Sequence, residues 1–341
     1  IGRDVLLSSD AAVVAAYTPT AAPRDLAVRR LDDAGASVVR RGDLVLYYRA
    51  AFVPTLCRLV GLDDTVAGRV FARMSTAMTD GVMSLDFDPL ALVLRTQCRV
   101  TAGADLPARD APVAFTRVTG PPQMLAVAAR LDRLFGLPWW IAAFGDAAPP
   151  ARTLQIARPV TRGDAPEALL AGAVAWFDDP ADTTFDPAAP DAEVALEALG
   201  LPRLPAPAMT VFTGGTGQAL RARRIDGAVA VTTIAAAAPT APRGATFGED
   251  GTIRAMSAWL PARADVLVFL SGDAAVDWLR PWMPALPMLG PVDALPRFDR
   301  GAPPVAFGLQ AETSTVQTTT IVPAAIVRGF YDRVASSFTN R

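Results

Sequence analysis

Strand-forming runs in this chain of 341 residues follow one another through short turns more often than through helices. Gly81 to Asp88 passes into Leu90 to Val100 across Pro89, and Val305 to Gln310 is followed closely by Thr315 to Ile321. Arg223 to Ile234 is interrupted by Asp226-Gly227, a pair suited to the left-handed backbone of a two-residue hairpin turn. Neighbours joined this way run antiparallel, which argues against a doubly wound parallel sheet. The pattern predicts an α+β fold of antiparallel sheets with packed helices.

Periodicity places the other elements. Asp10 to Tyr17, Ser37 to Arg49, Met209 to Thr213 and Asp265 to Leu270 read as strands. Pro23 to Asp33 reads as a helix that turns Leu26, Val28 and Leu31 inward and stops at Gly35. Asp63 and Asp64 can cap a helix with Val66, Val70, Met74 and Met78 in one stripe. Pro121 to Phe135 predicts a helix that opens on proline and ends at Gly136, and Trp139 to Phe144 a central strand apolar on both faces. Ala274 to Arg280 predicts a short helix, and Pro323 to Phe338 a final one with Ile326, Phe330, Val334 and Phe338 on one face. From Ala147 to Pro207 proline and aspartate cluster, with helical stretches near Ala165 to Trp176 and Ala192 to Leu199. The expected organisation is an N-terminal α+β lobe (1–146), a Pro/Asp-rich connector or insertion (147–207) and a C-terminal α+β lobe (208–341). A strand, a helix and a strand pair recur in both lobes, so the two are expected to be related.

Composition removes most catalytic chemistry. All 32 cationic residues are arginine, against 34 acids, and histidine is absent. Without imidazole there is no Ser-His-Asp or Cys-His system and no His-ligated metal or haem. Without lysine there is no Walker-A clamp and no Schiff base to pyridoxal phosphate. Carboxylate chemistry survives, as does a site completed by another chain. A net charge of −2 with interspersed signs argues against nucleic acid as a partner. Mean hydropathy is +0.28, but no stretch reaches the about 18 apolar residues that cross a bilayer, so no transmembrane segment is expected. The chain opens at Ile1, which leaves room for a removed signal peptide or an anchor before it.

Candidate sites are few. Thr213-Gly214-Gly215-Thr216-Gly217-Gln218 follows a strand-like run and reads first as a hairpin turn, with phosphate binding backed by Arg221, Arg223 and Arg224 as the alternative. Asp86 and Asp88, two apart in a strand, share a face; they are either a solvated strand end or a carboxylate pair. Asp178, Asp179, Asp182 and Asp186 form a weak calcium candidate that lacks the spaced EF-hand pattern, and no cofactor is expected. Arg41 to Asp43 and Arg162 to Asp164 spell Arg-Gly-Asp and read as ordinary turns. Cys57 and Cys98 are either one disulfide or two buried thiols. Trp139 and Trp140 read as core. Trp278, Trp282, Met283, Leu286, Met288 and Leu289 put large apolar groups into a proline-rich loop, where Trp and Met make adaptable contacts: this loop either folds back over its own lobe as a lid or is the partner-binding candidate, docking to a protein or a membrane face.

Arg263-Ala264-Asp265-Val266-Leu267-Val268-Phe269 and Pro304-Val305-Ala306-Phe307-Gly308-Leu309 carry a resemblance to alanine-rich extracytoplasmic proteins of high-GC bacteria, built from strand, helix and hairpin units. The resemblance covers about half of the chain and brings no catalytic residues with it. It implies a periplasmic or extracytoplasmic location, peripheral to the membrane, and an extrinsic accessory subunit of a membrane assembly such as a bacterial photosynthetic complex. The expected function is therefore a non-catalytic interaction protein whose partners are other protein subunits. The alternatives are a carboxylate-dependent hydrolase acting on glycans and an extracytoplasmic ligand-binding protein.

Overall fold

A computed structural model of the chain describes residues 42–59, 66–101, 105–109, 111–119, 123–159, 173–180, 191–194, 220–233, 244–279 and 302–339. The expected elements at 10–17, 23–33 and 209–213 lie outside these residues, as do the Asp63-Asp64 cap, the Gly-rich turn and the second Arg-Gly-Asp. In chain order the described elements are β1 (Leu44–Arg49), α1 (Val53–Leu59), α2 (Val66–Thr76), β2 (Met78–Phe87), β3 (Ala91–Val100), β4 (Gln123–Arg130), α3 (Leu131–Leu134) and α4 (Pro138–Phe144). Then come β5 (Ala151–Pro159), β6 (Val174–Pro180), β7 (Asp191–Val194), β8 (Leu220–Ile225), β9 (Ala228–Thr233) and α5 (Gly251–Ser257). The chain finishes with β10 (Val266–Leu270), α6 (Gly272–Leu279), β11 (Val305–Ala311), β12 (Thr315–Pro323) and α7 (Ala324–Thr339).

All twelve described strands belong to one sheet, in the order β1-β2-β3-β12-β11-β10-β4-β5-β6-β9-β8-β7. Every neighbouring pair is antiparallel. An α+β fold with a large antiparallel sheet is thus present. Strands of the expected N-terminal and C-terminal lobes lie side by side in it: β3 pairs with β12 from Ala91↔Pro323 to Arg99↔Thr315, and β4 pairs with β10 from Leu125↔Leu270 to Ala129↔Val266. The 147–207 interval supplies β5, β6 and β7.

The strand order resolves into four groups of three: β1-β2-β3, β4-β5-β6, β7-β8-β9 and β10-β11-β12. In each group the first strand pairs with the second after a longer excursion; a short turn joins the second to the third in three groups, and residues 160–172 between β5 and β6 lie outside the described residues. Among the described residues, helices stand in the excursion of three of the groups; in β7-β8-β9 the excursion lies outside the described residues.

Each face of the sheet carries its own apolar cluster. On one face Leu154, Phe177, Val229, Leu309 and Val316 pack with Leu131, Leu134, Phe135 and Trp139 of the α3–α4 region. On the other, Val93, Ala126, Ala128, Phe269 and Ile321 are covered by Val113, Phe115, Val118, Phe247 and Ile253. Phe115, Phe247 and Phe269 meet edge to face, with ring centroids 5.2–5.7 Å apart. Gly308 sits beneath the Leu260-Pro261 turn: a Cβ there would lie 2.8 Å from Pro261 Cδ, so a side chain would push this cover off the sheet.

Three local readings are corrected. The helix expected over Pro121 to Phe135 is the strand β4 followed by the short α3. A strand buried on both faces reads as one unbroken apolar run, here Leu125 to Ala129, and such a run does not distinguish strand from helix. The strand expected at Trp139 to Phe144 is helix α4, which begins on Pro138 and is closed by Gly145 at φ +92°. The helical stretches expected near Ala165 to Trp176 and Ala192 to Leu199 meet strands where they are described, since Trp176 lies in β6 and Ala192 in β7. The Asp226-Gly227 hairpin is formed as expected, with both residues at positive φ (+49° and +78°) between β8 and β9.

Candidate functional site

At the end of the sheet where β4 finishes and β10 begins, a carboxylate is buried among arginines. Asp265 is 0% exposed and immediately precedes β10. Its Oδ1 accepts from Arg133 Nε at 2.8 Å and Arg109 Nε at 3.3 Å; its Oδ2 accepts from Arg109 Nη2 at 2.7 Å and the Ala311 amide at 2.8 Å. Its backbone is held too, the Arg130 amide donating to its carbonyl at 2.8 Å and its own amide to Leu309 at 2.7 Å. The second nitrogens of Arg109 and Arg133 both reach the Ala311 carbonyl, at 2.9 and 2.8 Å, and Arg133 Nη1 donates to the Pro107 carbonyl. Arg109 also pairs with Glu312 at 2.8 Å, while Arg130 grips Asp132 through two bonds of 2.9 and 2.7 Å.

Four donors occupy the carboxylate oxygens of Asp265, so its negative charge is compensated and no lone pair faces a substrate. Burial of Glu312 works to raise its pKa, but hydrogen bonds from Arg109 and Gln310, with the charges of Arg109 and Arg133, outweigh it and hold the carboxyl below its ordinary range. Burial likewise works to lower the Arg109 pKa, and Asp265 and Glu312 overcome it and raise the value. Chemically this is a lock: it ties the 105–109 segment, α3, β10 and the β11–β12 turn to one point.

A second polar cluster straps residues 116–117 across β5 and β6. Arg117 Nε donates to Asp178 Oδ1 at 3.0 Å and Nη2 to the Asp226 carbonyl at 3.1 Å, while its guanidinium lies 5.9 Å from the Trp176 ring centroid. Gln155, buried in β5, accepts from the Arg117 amide at 2.9 Å and donates to Thr116 Oγ1 at 2.8 Å and Asp178 Oδ2 at 3.2 Å. Asp178, expected as one of four calcium ligands, is therefore an arginine partner in a strand. Asp179 follows it in β6 at φ +49°, and Asp182 and Asp186 lie outside the described residues. Among the described residues no group of three or more metal-ligating side chains occurs.

The third cluster is neutral. Tyr48 Oη and Cys98 Sγ lie 2.7 Å apart beneath β1–β3. Burial raises both pKa values; the nearby Cys98 adds to the rise at Tyr48, whereas at Cys98 the Tyr48 hydrogen bond pulls the other way and the charge of Asp80 adds to the rise. Gly81 makes the contact possible, since a Cβ there would sit 2.7 Å from the Tyr48 ring. Cys57 and Cys98 are both buried and are not joined in a disulfide, as in the second of the two cysteine alternatives.

Of the carboxylate pair, Asp86 forms an ion pair with Arg95 of β3, and Asp88 caps the β2–β3 turn by accepting from the Leu90 amide at 2.9 Å. Asp43 of the first Arg-Gly-Asp accepts from the Phe87 amide at 2.8 Å. Trp139 is buried and Trp140 stacks between Phe135 and Phe144, as expected of core residues. Trp278 lies in the last turn of α6, and Trp282, Met283, Leu286, Met288 and Leu289 lie outside the described residues. The Asp265 lock escaped the sequence reading; its one linear signal is the charged tetrapeptide Arg130-Leu131-Asp132-Arg133 inside the apolar stretch from Met124 to Phe144. Among the described residues no helix is long and apolar enough to cross a membrane. Comparison of the chain with protein-family models, curated proteins and solved structures gives no match.

Proposed function

We propose that the chain is a non-catalytic interaction protein of the extracytoplasmic space that docks on and stabilises a larger, membrane-associated assembly. The observation that carries this reading is the saturation of Asp265: the most deeply buried acid among the described residues is spent on holding the fold. A glycan hydrolase needs two carboxyls free to serve as acid and base or nucleophile. Asp86 and Asp178 are each engaged by an arginine instead. A chain without histidine or lysine that commits these carboxylates to structure is suited to present surface rather than chemistry.

The docking element in this reading is the Trp278–Leu289 segment, which leaves α6 with Trp278 in its last turn. Native purification from the source cells, with mass spectrometry of what accompanies the chain, tests it. Stoichiometric partners that are lost on Trp278→Ala with Trp282→Ala, in a variant that melts like wild type, support the reading. Partners retained by that variant, or turnover of a glycan by the purified chain, overturn it.

A further inference from the structure

We propose that the two terminal strands of the sheet, β1 and β7, join copies of this chain head to tail into one continuous sheet. This extends the assembly reading above and rests on it in treating the chain as a structural component. The argument comes from how the four strand groups meet inside one molecule. Groups touch through like strands: third to third at β3–β12 and β6–β9, and first to first at β4–β10. The two strands at the ends of the order, β1 and β7, are both first strands. A β7–β1 contact between copies would therefore repeat, over at most the four residues of β7, the kind of junction that the molecule already makes from Val266↔Ala129 to Leu270↔Leu125.

Direction agrees with this. An all-antiparallel sheet with an even number of strands, here twelve, has edge strands that run in opposite senses. A second copy placed beside the first in the same orientation thus presents β1 antiparallel to β7, and the alternation continues unbroken. Within Leu44–Arg49 the β1 edge carries no proline and no bulge, and its one charge is Arg49 at the end of the strand. It reads Leu-Val-Leu-Tyr-Tyr-Arg, and Leu44 and Leu46, on one face of the strand, are 61% and 41% exposed. Among the described residues β1 pairs with β2 alone and β7 with β8 alone.

The test uses the full chain, with mass measured by light scattering over a wide concentration range. Wild type is expected to grow with concentration to twice the 35.8 kDa chain mass and beyond. Leu44→Lys with Leu46→Lys blocks the β1 edge. Ala192→Pro and Glu193→Pro are compared at β7, because neighbouring residues direct their amides to opposite sides of a strand. The proline variant that melts like wild type is the one whose amide faces outward. Each blocked variant alone is expected to remain a monomer, and an equal mixture of the two to form a dimer that grows no further, using the one intact edge on each copy. A wild-type monomer at every concentration overturns the inference while leaving the Trp278 co-purification result unaffected. Self-association that survives both blocks, or is lost only at β1, overturns the head-to-tail arrangement.

Discussion

The Asp265 lock, at the middle of the strand order, and the Tyr48–Cys98 contact, at one end of it, hold one sheet by opposite means. At Asp265, segments 132 and 156 residues apart in sequence, contributing Arg133 and Arg109, are joined by charge that is fully paired and buried. At Tyr48 the partners sit in strands β1 and β3, separated only by β2, and the joint is a neutral hydroxyl–thiol contact over a glycine. The difference teaches where each kind of joint belongs. Where hydrogen-bonded strands already fix the geometry, an uncharged contact suffices. Where a loop and a helix must be fixed to the end of the sheet, directional multidentate arginine bonds supply register that apolar packing does not.

The comparison breaks most readily at the charged joint. Asp265→Ala removes the acceptor and leaves Arg109 and Arg133 buried against each other, and is expected to lower unfolding free energy by about 3–5 kcal/mol in denaturant titration. A loss below 1 kcal/mol would mean the arginines find other acceptors and the joint is not a lock. At the neutral joint steric change matters more than polarity. Gly81→Ala drives a methyl group into the Tyr48 ring and is expected to cost about 1–3 kcal/mol.

Cys98→Ala, which leaves the Tyr48 hydroxyl without its sulfur, is expected to cost about 1 kcal/mol. Its sharper signature is in pH. The Cys98 pKa is raised in the folded chain, so the contribution is complete below the ordinary thiol value and falls away as pH rises above about 9. That alkaline decline should be weaker in Cys98→Ala than in wild type. The smallest effect runs the other way. The Glu312 pKa is lowered on folding, so its contribution is complete above the ordinary carboxyl value of 4.5 and fades as pH falls below it. Glu312→Gln should flatten the acid limb slightly and leave the alkaline limb unchanged; the reverse would assign the charges wrongly.

Legibility from sequence follows the range of the interaction. The β2–β3 and β11–β12 pairs and the Asp226-Gly227 turn are read directly, because a hairpin is decided by a few adjacent residues. The α4 helix was legible as well, since Pro138 and Gly145 bracket it, but the apolar content of Trp139 to Phe144 outweighed those end signals in the reading. The position of β4 between β5 and β10 was not legible, because nothing in residues 123–130 encodes a neighbour that begins at Val266. For the same reason Asp265 read only as the start of a strand. Its partners Arg109 and Arg133 become neighbours through the strand order alone, and linear spacing carries no trace of that. Asp178 looked like part of an acidic loop because its neighbours in sequence are acids, whereas its neighbours in space are Arg117, Thr153 and Gln155.

The strand order also sets a timetable for synthesis. Strands β4 to β9 are contiguous both in the chain and in the sheet, and so are β1 to β3. As the polypeptide leaves the ribosome these two blocks emerge before the strands that join them. The last group, β10-β11-β12, belongs between them, with β12 against β3 and β10 against β4. Until it emerges, β3 and β4 are nascent edges that bear the apolar residues Val93, Ala126 and Ala128 later buried at the centre of the sheet. The Val266–Pro323 segment is thus a keystone: a chain that stalls before it leaves a three-stranded and a six-stranded block with unpaired inner margins. The sheet becomes continuous only when its last-made group is in place.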